Sequence, residues 1–331
     1  MDFKVNSSDL LKAISHIHGI VEIRHTLPIL SNMIITAKDG YLKLYSTNLD
    51  IYCSDQVNAE IVSPGEISVS ASTFHEIIKR LPNGSDLHAT LDEESSSLIL
   101  KCGRSKFNLT TMKTDDFPTI ADSDLDTNFV LSASELIRMI DKTKFAISNE
   151  ETRYYLNGIF FHKTQKNSIE ILRAVATDGH RLAQYDIPLP QGAEEMTGLI
   201  IPKKTILELR RVLDDANGDI NISLNDNKIK FSFNDLTIIS KVIDGTFPDY
   251  TKVIPKNNNK VFATNSNELK SAIDRVSAVS ISEEIKSKAI KLLIKSNKLL
   301  LSVESLSKGS ANEEVDINYN EEKVEIGFNS R

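Results

Sequence analysis

The chain has 331 residues, of which 40% are hydrophobic and 26% are charged, and its formal net charge is −7. This composition is typical of a globular protein of two or three domains, and no apolar run is long enough to predict a transmembrane helix. A negative net charge, taken alone, argues against a nucleic-acid-binding protein, because binding to phosphates requires basic surface.

The N-terminus lacks the basic region and apolar core that are typical of a signal peptide. The two cysteines, Cys53 and Cys102, predict neither a disulfide framework nor a zinc site. These features favour a reducing cytoplasm, and neither a metal ion nor another cofactor is expected.

Five helices are predicted in chain order, at 9–18, 74–81, 135–144, 203–213 and 268–276. Three of them share one pattern, DLLKAI at 9–14, ELIRMI at 135–140 and ELKSAI at 268–273, and each follows a short apolar strand at 3–5, 129–131 or 261–263. The other two also resemble each other, at 73–80 and 205–212. The pattern indicates three tandem repeats.

Alternating segments between the helices predict strands, for example 220–224 and 229–233 around a polar turn. Each repeat is therefore an α+β domain with two helices packed on β-sheets, and we place the domains at 1–122, 128–251 and 260–331. The third repeat stops where its second helix is expected, so that domain III is predicted to be incomplete by roughly fifty residues.

The helix starts carry residues that favour N-caps. Capping boxes are predicted at Ser132 with Glu135, Thr73 with Glu76 and Thr205 with Glu208, and a related pair at Asn265 with Glu268.

The charge is divided unevenly between the helices and the rest of the chain. The five predicted helices sum to +5 and the remainder to −12. Charged helix faces are most often simply solvated. If the helices of all repeats face one space, however, that space is positive and suits duplex DNA. At physiological salt the field of a charge fades over about 8 Å, so the charges that line the space matter and the net charge does not.

The segment most suggestive of catalysis is ATDGHRL at 176–182, where Asp178 and His180 suggest acid–base chemistry. The repeat alignment, however, places Thr177 on Thr47, in a strand and turn that repeat 1 also has. No nucleophile elbow, phosphate loop or metal spacing accompanies it, and Gly179 is interpreted as a tight turn or bulge. We therefore interpret His180 and Arg181 as binding residues on a surface and not as a catalytic pair.

The histidines are scattered along the sequence and predict no cluster. His16 and His18 fall near the end of a predicted helix, where a histidine is usually a capping or surface group.

Five strings in the same order resemble the bacterial sliding clamp family, the beta subunit of DNA polymerase III. They are RHTLPILSN at 24–32, RYYLNG at 153–158, ATDGHRL at 176–182, FPDY at 247–250 and EIGFN at 325–329. The resemblance covers the whole chain. It implies the DNA clamp fold, a head-to-tail homodimeric ring of six similar domains with helices lining the hole and sheets outside.

The family is non-catalytic: it encircles duplex DNA and confers processivity on the replicative polymerase. By resemblance, the partners are duplex DNA of any sequence, the polymerase alpha subunit, the clamp loader, and other polymerases and repair proteins, with no membrane. The positions that match DNA-contacting residues are Arg24, Lys79, Arg138, Tyr154, Tyr155, Lys203 and Lys204. Glu150 departs from the family, whose members often have a neutral side chain there.

The family binds short linear motifs of its partners in a pocket between domains II and III. The matching positions are Leu156, Thr177, Gly179, His180, Arg181, Leu182, Pro248, Lys252, Val253 and Asn329. The family's final strand and tail form another wall, which this sequence lacks, so the resemblance predicts weakened peptide binding.

The family's ring seam joins domain I to domain III of the other subunit. The matching positions are Ile77, Leu81, Arg104, Lys106, Phe107 and Leu109 on domain I, and Ile281, Glu313 and Glu314 on domain III. Opposite charges around an apolar centre would set the register.

Two alternatives remain open at this point. The first is a repeat scaffold that binds proteins but not DNA. Charge reversal of its helix lysines would cause no loss of DNA association, because there would be none to lose. A hydrolase using Asp178 and His180 would lose catalysis in His180→Ala, whereas a clamp would lose partner binding.

Overall fold

The computed structural model describes residues 1–22, 27–118, 125–280, 289–305 and 308–330. It divides into two compact units, Met1–Pro248 and Asp249–Arg331. The first unit contains repeats 1 and 2, and the second contains repeat 3.

Repeat 1 contains two helices, α1 at Ser7–His18 and α2 at Ala71–Lys79. Its strands are β1 Asp2–Asn6, β2 Asn32–Lys38, β3 Tyr41–Thr47, β4 Ile51–Asn58, β5 Glu60–Ser63, β6 Gly65–Ser70, β7 Asp86–Asp92, β8 Ser97–Cys102 and β9 Ser105–Met112. Repeat 2 contains α3 at Ala133–Asp141 and α4 at Lys203–Val212. Its strands are β10 Thr127–Ser132, β11 Gly158–Lys166, β12 Ile169–Thr177, β13 Leu182–Pro188, β14 Leu199–Pro202, β15 Asp219–Leu224, β16 Lys228–Phe233 and β17 Leu236–Lys241.

A single antiparallel sheet connects the two repeats. Its order is β10-β15-β16-β17-β4-β3-β2-β6-β9-β8-β7-β1-β5, and a second sheet has the order β13-β12-β11-β14. The repeats meet where β17 pairs with β4, in a register that aligns Thr237 with Ser54 and Ser240 with Ile51. Backbone hydrogen bonds therefore hold repeats 1 and 2 together in one unit.

The helices of the first unit bury apolar faces against these sheets. In α1, Leu10, Ile14 and Ile17 recur at helical spacing and are fully buried. Each such side chain contributes about 2 kcal/mol through removal from water. α1 packs on β3, β4 and α2, while α3 packs on β10, β13 and α4, so that one apolar core runs under both repeats. The expected α+β domain with two helices is confirmed for both repeats.

Local sequence determines where these helices begin. The Asn6 side chain accepts a hydrogen bond from the Ser8 amide at 2.9 Å, which caps α1. Four of the five helices begin two or three residues before the predicted position, and α4 begins at Lys203 as predicted. The predicted strands at 220–224 and 229–233 are confirmed as β15 and β16, in which Ile229, Phe231 and Phe233 are buried alternately.

The second unit contains α5 at Ser266–Ser277 and a four-stranded sheet. Its strands are β18 Ala289–Lys295, β19 Lys298–Ser305, β20 Gly309–Asp316 and β21 Val324–Asn329, in the order β20-β19-β18-β21. Its core comprises Ala272 and Val276 of α5 against Leu299, Leu301 and other side chains of the sheet. The prediction of an apolar strand at 261–263 was wrong in its extent. Only Ala263 forms an isolated bridge, to Asn318, because Val261 points to solvent.

Candidate functional site

Part of the positive charge on the helices has no carboxylate partner. Among the described residues, the helix and helix-end cations without a carboxylate within ion-pair distance include Lys12, Lys79, Arg138, Lys142 and Lys270, all exposed. The other basic residues are partly used within the fold. Arg210 bonds to Asp141 at 3.0 Å and to Asp214 at 2.8 Å. The helices thus expose a smaller basic set than their sequence counts suggest.

The start of α4 carries Lys203 and Lys204, which the resemblance assigns to DNA. The Lys203 ammonium donates to the Asn149 side chain, and the Lys204 ammonium contacts the Glu22 carboxylate. Lys204 therefore links repeat 2 to repeat 1 as well as contributing charge, while Lys203 has only a neutral partner among the described residues. Arg24, assigned with them, lies outside the described residues.

The segment Glu151–Leu156 forms an irregular 3-10 turn that brings both tyrosines to one side. Tyr154 is 53% exposed, and its ring meets that of Tyr155 edge-on at 5.8 Å. The Glu150 carboxylate, the departure from the family, forms an ion pair with Arg153. This hydrogen bond holds the pKa of Glu150 below its ordinary range. The negative charge of Glu150 is therefore locally balanced.

A tight turn connects β12 to β13 and carries half of the predicted peptide-pocket residues. The Thr177 hydroxyl donates to the Arg181 carbonyl oxygen at 2.8 Å, as the Thr47 hydroxyl does to the Ile51 carbonyl oxygen in repeat 1. Gly179 takes φ +87°, and an added Cβ would lie 2.8 Å from an Arg153 guanidinium nitrogen. The expectation that both repeats share this turn is confirmed, and Gly179 takes a left-handed conformation that favours glycine.

Asp178 stabilises this turn. Its carboxylate accepts hydrogen bonds from the backbone amides of His180 at 2.9 Å and Arg181 at 3.0 Å, and from the Arg181 side chain at 3.0 Å. Although burial opposes it, these hydrogen bonds hold the pKa of Asp178 below its ordinary value. The carboxylate thus meets His180 through the backbone and makes no acid–base pair with its ring.

Three of the predicted pocket positions in the first unit are apolar. Leu156 is buried, Leu182 is half-buried and Pro248 is exposed. The Arg181 guanidinium lies 5.8 Å from the centre of the Phe145 ring, which is 54% exposed. Sequence reasoning missed Phe145, although an exposed aromatic residue beside a charged turn is a recognisable signal. Lys252, Val253 and Asn329 belong to the second unit, where Val253 is 69% exposed.

The predicted seam positions of repeat 1 lie at the end of helix α2 and in or just before strand β9. Strand β9 pairs with β8 along its length but with β6 only at Thr111 and Met112, which leaves the edge at 105–110 without a described neighbour. Arg104 and Lys106 are exposed beside this edge. The remaining seam positions of repeat 1 are Ile77, Leu81 and Phe107, all half-buried, and Leu109, which is buried.

In the second unit, β20 is an edge strand that pairs only with β19 among the described strands. Its Glu313 pairs with Arg275, and its Glu314 pairs with Lys298 at 2.9 Å. The two glutamates are thus partly neutralised inside the unit. Ile281 lies outside the described residues.

The histidine expectations were wrong in two respects. His16 is buried, with its ring between the carboxylates of Asp55 and Asp215. His18 and His75, which are 57 residues apart, stack at 4.5 Å, so that some histidines do cluster. No signal in the sequence predicts either contact, because each partner lies on a different element.

In the described ranges, no group of three or more histidine, cysteine, aspartate or glutamate side chains is arranged to hold a metal ion. The helices there are also too short or too polar to cross a bilayer.

The fold and the exposed basic helix residues define the class of tandem-repeat clamp proteins. Models of the DNA polymerase III beta subunit match its N-terminal domain at residues 1–121, its central domain at 130–249 and its C-terminal domain at 251–331. The chain therefore belongs to the DNA polymerase III beta subunit family, the beta sliding clamps. The sliding-clamp function and the α+β clamp fold expected from the sequence are confirmed.

The relatives are similar along the full chain. The beta sliding clamp of Caulobacter vibrioides is 41% identical over 100% of this chain and 88% of its own length, and that of Escherichia coli K12 is 34% identical over 99% and 87%. Among solved structures, a Caulobacter crescentus beta sliding clamp matches with TM-score 0.95 and 40% identity, and a Bartonella birtlesii clamp bound to griselimycin with 0.94 and 41%. Each covers 100% of this chain, which covers 87% of each.

Proposed function

We propose that the chain is a non-catalytic clamp that closes as a homodimer around duplex DNA and holds a replicative polymerase on it. The observation that carries this proposal is the set of exposed helix cations that have no carboxylate partner among the described residues. Acidic side chains near them, such as Asp141, Glu208 and Glu313, form ion pairs with arginines instead. Mobile ammonium and guanidinium groups bind phosphates without reading bases, as a clamp that slides requires. The proposed domains are 1–122, 128–251 and 260–331.

The proposed DNA contacts are made by the helix residues Lys79, Arg138, Lys203 and Lys204 and by the Tyr154–Tyr155 loop, with Arg24 assigned by resemblance. The Glu150–Arg153 ion pair supports the loop's part in this, since it removes the local repulsion that a free carboxylate would exert on phosphate.

We further propose that the turn at 177–182, with Leu156 and Pro248, binds short peptide motifs of the polymerase, the clamp loader and repair proteins. The support is a rigid turn beside apolar side chains and a charged rim, an arrangement that suits anchoring of a peptide by a few residues. Lys252, Val253 and Asn329 stay predicted contacts.

The proposed head-to-tail contact uses the edge of β9 in one copy and the edge of β20 in the other. Both are open strand edges of the kind that pairs with another chain. One carries Arg104 and Lys106, and the other carries Glu313 and Glu314. Complementary charge favours this pairing over that of two identical edges.

The decisive test is retention on nicked circular DNA after loading by a clamp loader, compared with the same DNA linearised. We expect retention on circles that is lost on linearisation, because a ring slides off an end. Equal retention on both would mean ordinary electrostatic binding and reject the ring. Absence from both would favour the scaffold alternative.

A charge reversal on a helix distinguishes the loss of a DNA contact from the effect of a changed net charge. Arg138→Glu on α3 should shorten retention and lower the salt dependence of binding by about one counterion, because one phosphate contact is lost. The matched control is Lys43→Glu on strand β3, an equal charge change on an exposed strand residue. Equal effects of the two variants would contradict the assignment of Arg138.

A further inference from the structure

The ring of His16 bridges two repeats. Its Nδ1 lies 2.6 Å from a carboxylate oxygen of Asp55 on β4 of repeat 1, and its Nε2 lies 2.9 Å from one of Asp215, just after α4 of repeat 2. His16 is 8% exposed and Asp55 6%, whereas the Asp215 side chain is about half exposed. The contact joins residues 199 positions apart.

This geometry specifies a protonation state. A neutral imidazole has one N–H donor and one lone-pair acceptor, so it can satisfy one carboxylate and must present a lone pair to the other. An imidazolium donates to both. We propose that protonated His16 is a pH-sensitive latch that holds repeat 1 to repeat 2.

The junction around the ring has further polar contacts. The Arg211 guanidinium donates to the carbonyl oxygens of Ser15 at 2.6 Å and His16 at 2.9 Å, which ties α4 to the end of α1. A polar cavity of about 440 Å³ adjoins the ring, so that solvent reaches the latch. The titratable groups facing this region are Asp9 and Lys12 of α1, Tyr41 of β3, Cys53 and Asp55 of β4, Glu208 and Arg211 of α4, and Asp215 and Asp235.

The charges agree with a latch that is closed when His16 is protonated. Burial disfavours the imidazolium, but the hydrogen bonds with Asp55 and Asp215 outweigh it and raise the pKa of His16 above its ordinary 6.5. The hydrogen bond from His16 likewise lowers the pKa of Asp215.

The sign of the pH dependence follows from these two shifts. Because the folded pKa of His16 is raised, its contribution to stability is complete below 6.5 and is lost as the pH rises through the raised value. Because the pKa of Asp215 is lowered, its contribution is lost only as the pH falls into the carboxylate range. The latch is therefore closed between these limits and opens on the alkaline side.

The test combines an NMR titration of the His16 ring in the full chain with urea unfolding from about pH 6 to about pH 9. Three variants accompany the wild type: His16→Gln, Asp215→Asn and the control His88→Gln. The His88 ring contacts a single carboxylate, that of Asp2 at 2.8 Å, and both residues lie within repeat 1.

We expect the wild-type unfolding midpoint to fall with rising pH as His16 loses its proton, and the same fall in His88→Gln. His16→Gln should abolish that fall. Asp215→Asn should lower the pKa of His16, since an amide can donate to a neutral ring. A His16 ring that is neutral at about pH 6, or an unchanged pH slope in His16→Gln, would overturn the latch. The NMR titration of the wild type decides the matter even if a variant fails to fold.

Discussion

The turn that both repeats share has different residues at one equivalent position. Gly179 takes φ +87° in repeat 2, and Leu49 takes φ +77° at the matching place in repeat 1. A non-glycine residue in this region is strained by about 1–2 kcal/mol. The turn in repeat 1 keeps its form because its side-chain hydrogen bonds hold it, for example Ile51 amide to Asn48 at 2.8 Å. At this scale, repeat 2 has the unstrained version of the turn.

Gly179→Ala should destabilise the chain by about 1 kcal/mol through backbone strain and should also weaken partner-peptide binding, because its Cβ would displace Arg153. Gly84→Ala is the control, since Gly84 also has positive φ, +70°, but has open space around its Cβ position. Urea unfolding should show a similar loss for both variants, and fluorescence polarisation with a clamp-binding peptide should show an affinity loss for Gly179→Ala only. Equal peptide affinities of the two variants would contradict the assignment of Gly179 to the binding site.

At the scale of the element, helix starts depend on which side chain lies at the cap. The caps predicted at Ser132 and Asn265 are confirmed, since each side chain accepts from the Glu amide three residues on. The caps predicted at Thr73 and Thr205 were wrong. Ser70 caps α2, and the Thr205 hydroxyl bonds instead to Ser240 at 2.7 Å inside the core.

Ser70→Ala should therefore cost about 1 kcal/mol of stability, as expected for loss of an N-cap acceptor. Thr73→Ala should cost no more than a few tenths of that. Thermal or urea unfolding of the two variants measures the difference directly. A larger loss of stability in Thr73→Ala would indicate that Thr73, as the sequence pattern predicts, caps the helix.

At the scale of the whole molecule, the proposed head-to-tail assembly uses two strand edges that have no neighbour among the described strands. The Lys106 side chain stands beside the edge of β9, and its cross-strand neighbour Lys101 lies on β8, one strand further from the edge. The two lysines have the same charge and similar exposure. They therefore form a matched pair for testing the proposed head-to-tail contact.

Lys106→Glu should raise the dimer dissociation constant about tenfold, because a like-charge contact with the glutamates of β20 costs more than about 1 kcal/mol. Lys101→Glu should change it much less. Sedimentation equilibrium of both variants gives the constants. A larger effect of Lys101→Glu would place the contact on another face.

The sequence by itself determined the repeats, the helices and several strands, such as β15 and β16, because each depends on local periodicity and on residues a few positions apart. It also determined the shared turn at Thr47 and Thr177, and through the resemblance it predicted the family that full-length matches then showed.

Only the tertiary structure decided which charges remain available and where His16 points. Arg210, Arg211 and Lys204 read as free helix cations in sequence, but all three are engaged by groups on other elements. Composition cannot reveal such pairing, since it arises only when folding brings distant segments together, as where β17 aligns with β4. The contact of His16 with Asp215 exists for the same reason: folding places two carboxylates around one ring, and their electrostatic attraction for a proton appears only then.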